Sequence, residues 1–430
     1  MTERINFKTN ELIALVDCNN FYVSCERVFN PKLEGIPVAV LSNNDGCIVS
    51  RSEELKTLNL PIGAPGFKYE GLIKSKGGVL VSSNYTLYAD MSNRVMQTLE
   101  YFCPDIEIYS IDEAFLLLNG FRNRDLNEYC RHIRKTVRQW TGIPVSIGIA
   151  NTKTLAKIAN RIAKKYKGYD GVFNLLKHPK IDAILESVPV GKVWGIGSQY
   201  EKFLVRKEIK NARQLRDADE KFIEHYLTVV GYKTVLELRG YSCIDLDDAP
   251  SPKKGIITSK SFGKQVNDYR ELQEAITTYV TRAAEKLRLQ KSVAGHLMVF
   301  LNTNRFKDGP QYNNAASTTI FPPTAYTPDL IKTALELLDS LYVPGYEFKK
   351  AGVMLTDIIQ EEDVPLTFLA ENYLDDKRKV LMDVIDAINI HLGQDTIFFA
   401  GAGIKKDWEM KRAKLSPHYT TRWDELVKVK

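Results

Sequence analysis

The chain contains no apolar run long enough to cross a bilayer, which excludes a helical membrane span. It has no internal repeat and no low-complexity tract, which excludes a solenoid or a biased linker-type protein. Six cysteines are scattered along it (Cys18, Cys25, Cys47, Cys103, Cys130 and Cys243), with no close pair at metal-ligand spacing. They read as reduced, mostly buried thiols of a cytoplasmic protein, not as a zinc site or a disulfide framework. The opening Met1-Thr2-Glu3-Arg4 lacks the form of a signal peptide. An excess of one charge is also missing: 59 basic residues face 53 acidic ones, a net +6 over 430 residues. That balance is compatible with an anionic partner without requiring one. Apolar residues, by contrast, make up 44% of the chain, and its length suits two to four domains.

Two stretches carry chemistry. Ser110-Ile111-Asp112-Glu113-Ala114-Phe115 lies between Ile106-Glu107-Ile108-Tyr109 and Phe115-Leu116-Leu117-Leu118. Both flanks read as short strands, with the acidic pair at a two-residue turn. Adjacent side chains in mid-strand point to opposite faces, whereas at a bend both carboxylates converge on one spot. Such a pair is costly between apolar strands unless a cation holds it. Mg²⁺ suits the task, since it takes one or two carboxylates plus phosphate oxygens. The second stretch is the buried run Leu12-Ile13-Ala14-Leu15-Val16, which ends in Asp17 before Cys18-Asn19-Asn20-Phe21-Tyr22. An acid there supplies a third carboxylate for metal-assisted phosphoryl chemistry. Asp17 suits a helix cap equally well, and pattern alone leaves the two readings level. Of Phe21 and Tyr22 one belongs to the core, and a tyrosine on the site side would stack under a bound sugar.

The rest of the chain supplies the frame. Val38–Leu41 and Cys47–Ser50 form a hairpin around an Asn/Asp/Gly turn, and a helix over 52–58 carries Lys56. Cys47, Gly63 and Ala64 are small enough to let a flat ligand approach the backbone, although turn chemistry explains them as well. Helices are expected over 85–102 and 126–140, then a strand over 144–149. Asn151 can cap the next helix, whose buried face is Leu155, Ile158, Ala159, Ile162, Ala163 and Tyr166. Lys153, Lys157, Arg161 and Lys164 run beside it. A basic stripe is a solvated face by default, and beside a triphosphate it becomes a clamp. The order β-(hairpin)-α-β-β-α-β-α predicts a ferredoxin-like α+β unit, not a doubly wound sheet.

Around residue 175 the texture changes. Val188–Gly197 is a glycine-punctuated turn between helices whose free N–H groups suit a DNA phosphate. A polar, proline-containing linker follows at 247–255. A second α+β unit is expected from strands over 256–262, 295–301 and 351–355 and helices over 271–290 and 328–341. Its Lys260, Lys264, Arg288, Lys291 and Arg305 are candidates to face a nucleic-acid backbone. The tail adds a helix over 375–391, then Trp408–Arg412 and Tyr419–Trp423. There aromatics interleave with basic residues, a pattern that suits base stacking or partner docking.

Taken together, Val16–Glu26 and Ser110–Phe115 resemble the two catalytic motifs of the Y-family (translesion) DNA polymerases. Leu41–Cys47, Ser83–Met96, Ser261–Gly263, Ala351–Leu355 and Leu415–Pro417 narrow the resemblance to the UmuC type, over nearly the whole chain. The resemblance implies an α+β multidomain right hand. Its palm would be 1–30 and 85–175, with small fingers at 31–84 and a helical thumb of helix-hairpin-helix character at 176–246. A linker at 247–254, an α+β little finger at 255–360 and a partner-binding extension at 361–430 would complete it. It implies error-prone, template-directed synthesis in the DNA-damage (SOS) response. Asp17, Asp112, Glu113 and the main-chain carbonyl of Cys18 would hold two Mg²⁺ ions. Tyr22 takes the steric-gate position, Lys56 and Lys164 align with triphosphate-binding residues, and Ser50 lies where a hydroxyl contacts the same group. Cys47, Val49 and Gly63 would roof the new base pair, and Gly195, Gly197, Lys260 and Lys264 would meet DNA. The implied partners are primer-template DNA, dNTPs, a UmuD-type subunit and a recombinase filament, with no membrane.

The sequence departs from the family pattern at two places. Glu53 stands where many members have a tyrosine three residues before the basic residue matched by Lys56. A sliding-clamp motif is expected near 364–370, but Val364-Pro365-Leu366-Thr367-Phe368-Leu369 lacks the usual leading glutamine and leaves clamp binding open. Two other readings compete: a nucleotidyl cyclase with a palm-like hairpin, and a catalytically weak DNA or partner scaffold. A cyclase has no need of the 194–197 turn or the second basic unit, and the three carboxylates argue against a scaffold.

Overall fold

The strand β1 (Ile13–Cys18) is buried along almost its whole length, which requires cover on both faces of its sheet. The two faces sort by parity. Ala14, Val16 and Cys18 enter one core, and Ile13 and Leu15 enter another. Asp17 therefore points to the second face. The computed structural model describes residues 8–9, 11–246, 252–364 and 376–426. They fall into two units: Met1–Leu41, Cys47–Pro250 and Lys414–Lys430 in the first, Ser42–Gly46 and Ser251–Ala413 in the second.

In the first unit β1 leads to helix α1 (Phe21–Phe29), then strands β2 (Val38–Leu41) and β3 (Ile48–Arg51) and the short helix α2 (Glu53–Lys56). Helix α3 (Gly66–Ser75) and strand β4 (Val79–Ser82) close a three-stranded sheet of order β3-β2-β4. Helix α4 (Tyr85–Phe102), strands β5 (Ile106–Ile108) and β6 (Glu113–Leu117), helix α5 (Leu126–Thr141), strand β7 (Val145–Ala150), helix α6 (Lys153–Lys165) and strand β8 (Val172–Asn174) follow. The main sheet has the order β5-β6-β1-β7-β8. Its first four strands are antiparallel throughout, which is the expected ferredoxin-like βαββαβ arrangement, and β8 is added parallel to β7.

Helices α4 and α5 cover one face of this sheet, and α6 covers the other. The approach of α6 to β7 is close because Gly148 has no side chain. A Cβ there would lie 2.1 Å from the Asn160 nitrogen and 2.4 Å from the Ala156 carbonyl oxygen. Asn160 fixes the contact by donating to the carbonyls of Leu15, at 3.2 Å, and Ser146, at 2.7 Å. Five short helices follow: α7 (Ile181–Glu186), α8 (Ser198–Arg206), α9 (Ala212–Arg216), α10 (Glu220–Tyr226) and α11 (Val229–Leu238). They share the core of the α6 face.

The second unit is a four-stranded sheet of order β11-β10-β12-β9, built from β9 (Ile256–Val266), β10 (Ser292–Thr303), β11 (Asn313–Thr324) and β12 (Phe348–Gln360). Helices α12 (Tyr269–Leu289) and α13 (Thr327–Leu341) pack on it, with α14 (Asp376–Leu392) further along the chain. The loop Ser42–Gly46 belongs to this unit, where Asn44 donates to the Ser261 carbonyl at 3.0 Å and accepts from the Lys411 amide at 2.9 Å.

Several sequence expectations need correction. The segment read as a loop after β10 contains β11, whose Asn313–Ser317 stretch lacks the apolar alternation that marks a half-buried strand. Thr152, not Asn151, caps α6, accepting from the Leu155 amide. Asn151 instead donates to the Gly240 carbonyl at 3.0 Å. Strands β4 and β8 and helix α3 were not anticipated, since each is too short or too mixed to show a period. The clamp expectation at 364–370 lies outside the described residues except for Val364, as do 247–251 of the linker.

Candidate active site

Register builds the site. Asp17 pairs directly with Glu113 across β1 and β6, and Leu15 pairs with Phe115. Glu113 is thus the first residue of a strand, not part of a two-residue turn. The reversal spans Tyr109–Asp112, where the Tyr109 and Ser110 amides donate to the Glu113 carbonyl at 3.0 and 3.1 Å. The Cys18 amide donates to the Asp112 carbonyl at 2.8 Å and stitches the end of β1 to that bend. The Cys18 side chain is buried.

The carboxylates are each engaged. Lys164 of α6 forms an ion pair with Asp17, and Lys157 pairs with Glu113 at 2.9 Å. Asp112 accepts a hydrogen bond from the Ser110 hydroxyl at 2.7 Å. Among the described residues no three His, Cys, Asp or Glu side chains gather at metal-ligand spacing. Burial, with Glu113 opposite, pushes the Asp17 carboxyl up to about 7 against the pull of Lys164. A carboxyl so desolvated suits a cation, and hard oxygen donors suit a divalent one. The two ammonium groups stand where that positive charge is needed.

The three expected acids therefore divide. The structure brings Asp17 and Glu113 together, and the Asp112 carboxylate is turned to Ser110. Of the basic stripe, Lys157, Arg161 and Lys164 line an open cleft of about 1280 Å³ with Asp17, Glu113, Lys56 and Arg27. Lys153 does not. It is buried against Glu107, so its place in a phosphate clamp is withdrawn.

Phe21 is core and Tyr22 is partly exposed, as the sequence pattern allowed. The Tyr22 ring stacks on Tyr88 at 4.5 Å, with Tyr85 edge-on at 6.0 Å. Burial pushes the Tyr22 phenol up, which keeps the ring neutral. Across the small sheet, Cys47 bridges to Pro65, and Ile48 exchanges hydrogen bonds of 2.8 Å with Gly63 and Ala64. Gly63 holds φ +82°, where a side chain would be strained. Ser50 is buried in β3, paired with Val40.

Sequence reading missed three partners. Glu53 holds Lys56 at 2.6 Å and Asn20 at 2.9 Å, an i,i+3 ion pair whose spacing was visible. Lys157 sits 4.5 Å over the Tyr109 ring and 5.4 Å over Trp194, and the Trp194 indole donates to the Tyr109 hydroxyl at 3.1 Å. The glycine turn at 194–197 thus braces the acidic bend, and Gly195 lies at φ +85° against Thr234. In the second unit Arg288 is no backbone contact. It forks onto Asp386 at 2.6 and 2.8 Å and donates to Ala325 and Thr327. Lys264 pairs with Glu271 at 2.7 Å, and Lys260 is exposed on β9, with local desolvation pulling its ammonium pKa down.

An acid pair at a strand end on a ferredoxin-like sheet, faced by a lysine-bearing helix and a second small sheet, defines the Y-family DNA polymerase fold. Solved structures agree at the level of fold. A Y-family DNA polymerase chimera of Dbh and Dpo4 superposes with a TM-score of 0.64 at 22% identity, covering 81% of this chain and 99% of that one. An insertion ternary complex of Dbh DNA polymerase gives 0.53 at 21% identity, with the same coverage.

The chain belongs to the impB/mucB/samB family: residues 16–161 match that family and 253–368 match its C-terminal domain, while 379–429 match a domain of unknown function, DUF4113. It is 44% identical to Protein UmuC of Salmonella typhimurium over 97% of this chain and 100% of that protein, and 41% identical to Protein SamB of the same species over 97% and 100%. Protein MucB of Escherichia coli is 38% identical over 96% of this chain and 99% of its own length. It is a UmuC-like Y-family translesion DNA polymerase. Polymerases of this family use divalent metal ions, with DNA and nucleotides as substrates. The cyclase and scaffold readings are set aside. No described helix is long and apolar enough to cross a membrane.

Proposed function

We propose that Asp17, Asp112, Glu113 and the Cys18 carbonyl hold two Mg²⁺ ions for error-prone synthesis across damaged template bases in the SOS response. The observation that carries this reading is the direct cross-strand pairing of Asp17 with Glu113 in a cleft lined by Lys56, Lys157, Arg161 and Lys164. Magnesium bound there supplies Lewis-acid activation of the primer 3′-hydroxyl and neutralises the triphosphate.

The protein's own residues do the positioning. Lys164 pairs with Asp17, and its ammonium would be free for triphosphate oxygens if that carboxylate held a metal cation. Lys56 serves the same group from the other side, and Ser50 stands beside it. Tyr22, stiffened by its stack on Tyr88, closes the space under the sugar and excludes a ribose 2′-hydroxyl. Cys47, Val49 and Gly63 roof the base pair with little bulk, which leaves room for a damaged base.

Residues 1–30 and 85–175 act as palm, 31–84 as fingers, 176–246 as thumb and 255–360 as little finger. Gly195, Gly197, Lys260 and Lys264 meet primer-template DNA. A UmuD-type subunit and a recombinase filament are the proposed partners of the 361–430 extension.

Primer extension on a template with one abasic site tests the reading. The wild-type chain extends past the lesion, and Asp112→Ala abolishes extension without loss of DNA binding. Synthesis that survives Asp112→Ala, or DNA binding with no synthesis by the wild type, overturns it. Adding the partner subunit then measures its contribution.

A further inference from the structure

The tail after Ala413 is tied into the nucleotide site of the first unit, on the side of the proposed steric gate. The Ser82 amide donates to the Lys414 carbonyl at 2.9 Å, the Lys414 amide donates to the Ser82 hydroxyl at 2.9 Å, and Leu415 makes a parallel bridge to Ser82. This covers the open edge of β4. Lys414 also pairs with Glu70 at 2.8 Å.

The next residues reach inward. The Asn84 amide donates at 3.1 Å to the Ser416 carbonyl, the Ser416 hydroxyl and the Pro417 carbonyl. Its other atom, Oδ1, caps α4 through the Leu87 amide. The Ser416 hydroxyl donates to Glu26 Oε1 at 3.1 Å, and the Tyr88 hydroxyl donates to the same oxygen at 2.6 Å. Tyr88 is the ring on which Tyr22 stacks, with planes 14° apart. Two residues beyond Pro417, Tyr419 stacks on Phe29, the last residue of α1, at 4.9 Å. Tyr22 and Glu26 are both carried by α1, and Tyr88 lies one turn into α4.

We propose that residues 414–421 are a positioning element of the nucleotide site, setting the Tyr22–Tyr88 stack and through it the preference for deoxyribonucleotides over ribonucleotides. This gives a role to the end of the segment that matches a domain of unknown function. Glu26 is the joint. It is buried, and its two hydroxyl donors come one from the tail and one from the gate stack. Losing the tail leaves Tyr88 as the sole hydroxyl donor to that carboxyl and leaves the Asn84 amide without its acceptors. Both changes loosen the two helix ends that fix the sugar-side rings. The inference rests on Tyr22 being the sugar gate.

Single-nucleotide incorporation by the full-length chain, giving kcat and KM for a dNTP and the matching rNTP, is the test. Asn84→Asp keeps the α4 cap acceptor but cannot donate to the tail. Ser416→Ala removes the hydroxyl, Ser416→Thr keeps it, and a stop after Ala413 removes the whole segment. Asn84→Asp and Ser416→Ala each lower the dNTP/rNTP ratio of kcat/KM by roughly two- to tenfold, the size of one or two net hydrogen bonds. The expected change lies mainly in KM for the dNTP, with primer-template affinity unchanged and with Ser416→Thr at the wild-type ratio. The truncated chain falls at least as far. Tyr22→Ala is the control. A ratio unchanged in Asn84→Asp and Ser416→Ala, when Tyr22→Ala collapses it, overturns the role of the tail. A ratio unchanged in Tyr22→Ala overturns the gate reading and the inference with it. A truncated chain that does not fold leaves the decision to the Ser416 pair.

Discussion

Glu107→Leu should be among the most destabilising single changes in the first unit. Glu107 lies mid-strand in β5 with its side chain inward, paired in register with Phe115. It holds the Lys153 ammonium, which is 1% exposed. Removing the carboxylate leaves a buried cation, and breaking one partner of such a pair costs about 3–5 kcal/mol. Two contacts remain to soften the loss: the Asp245 carbonyl, 2.5 Å from the ammonium, and the Phe115 face, 5.2 Å away. The lower end, about 3 kcal/mol, is therefore expected, or a fall of roughly 6–12 °C in the melting of this unit. Lys153→Met combined with Glu107→Leu removes both charges and should recover most of the loss, to within about 1 kcal/mol of wild type. Thermal melting and urea titration of the wild type, both single variants and the double variant close the cycle. A single Glu107→Leu that costs under about 1 kcal/mol, or a double variant no better than the single, refutes the buried-pair argument.

Lys164→Ala should raise KM for dNTP more than it weakens primer-template binding; a change in DNA affinity alone makes Lys164 a backbone contact. Tyr22→Ala should raise ribonucleotide incorporation about tenfold or more, read by single-nucleotide kinetics, because the bulk under the sugar is gone. Glu53→Gln should leave stability within about 1 kcal/mol, since the Glu53–Lys56 pair is exposed. It should also lower KM for dNTP, since Lys56 is released for phosphate; a higher KM refutes that role. Burial raises the Glu26 carboxyl above its ordinary 4.5, although Tyr88 and Ser416 donate to it. A raised native value favours the protonated acid, so this contribution is present below 4.5 and lost as pH climbs through the native value. The Tm of Glu26→Gln relative to wild type should therefore increase with pH over that window, and a flat difference refutes it.

The sequence made the central architecture legible because α4, α5, β7 and α6 each carry a clean period and β1 is a short apolar run buried on both faces. It placed Asp17 at a strand end, but it set Asp112 and Glu113 together in a two-residue turn, whereas Glu113 opens β6. It failed where one side chain serves two purposes. Lys153 fell on the stripe of Lys157 and Lys164, and only the fold shows that Glu107 meets it from inside the sheet. Asn151 looked like the cap of α6, yet Thr152 takes that role and Asn151 reaches Gly240, a contact 89 residues away that no local pattern encodes. Ser83–Met96 and Leu415–Pro417 served only to narrow the family resemblance, because no local pattern shows that Asn84 and Ser416 meet. The two lie 332 residues apart.

A single geometric rule separates the structural lysines of α6 from the working ones. In sheet order, β5, β6 and β1 present Glu107, Glu113 and Asp17 to the face that α6 covers. Lys153, Lys157 and Lys164 are four and then seven residues apart, spacings that return to one helix face. Each acid therefore meets one lysine, and the exposure of the lysine rises along the row. The side-chain exposures of lysine and acid are 1% and 9% for the first pair, 18% and 20% for the second, and 37% and 13% for the third. A sealed pair cannot exchange its cation, because opening it exposes a buried charge. A half-open pair can, since water or a metal ion replaces the ammonium at small cost. The row thus runs from a fixed anchor beneath the acidic bend to exchangeable pairs at the mouth of the cleft. That gradient accounts for one helix both bracing the sheet and serving its chemistry.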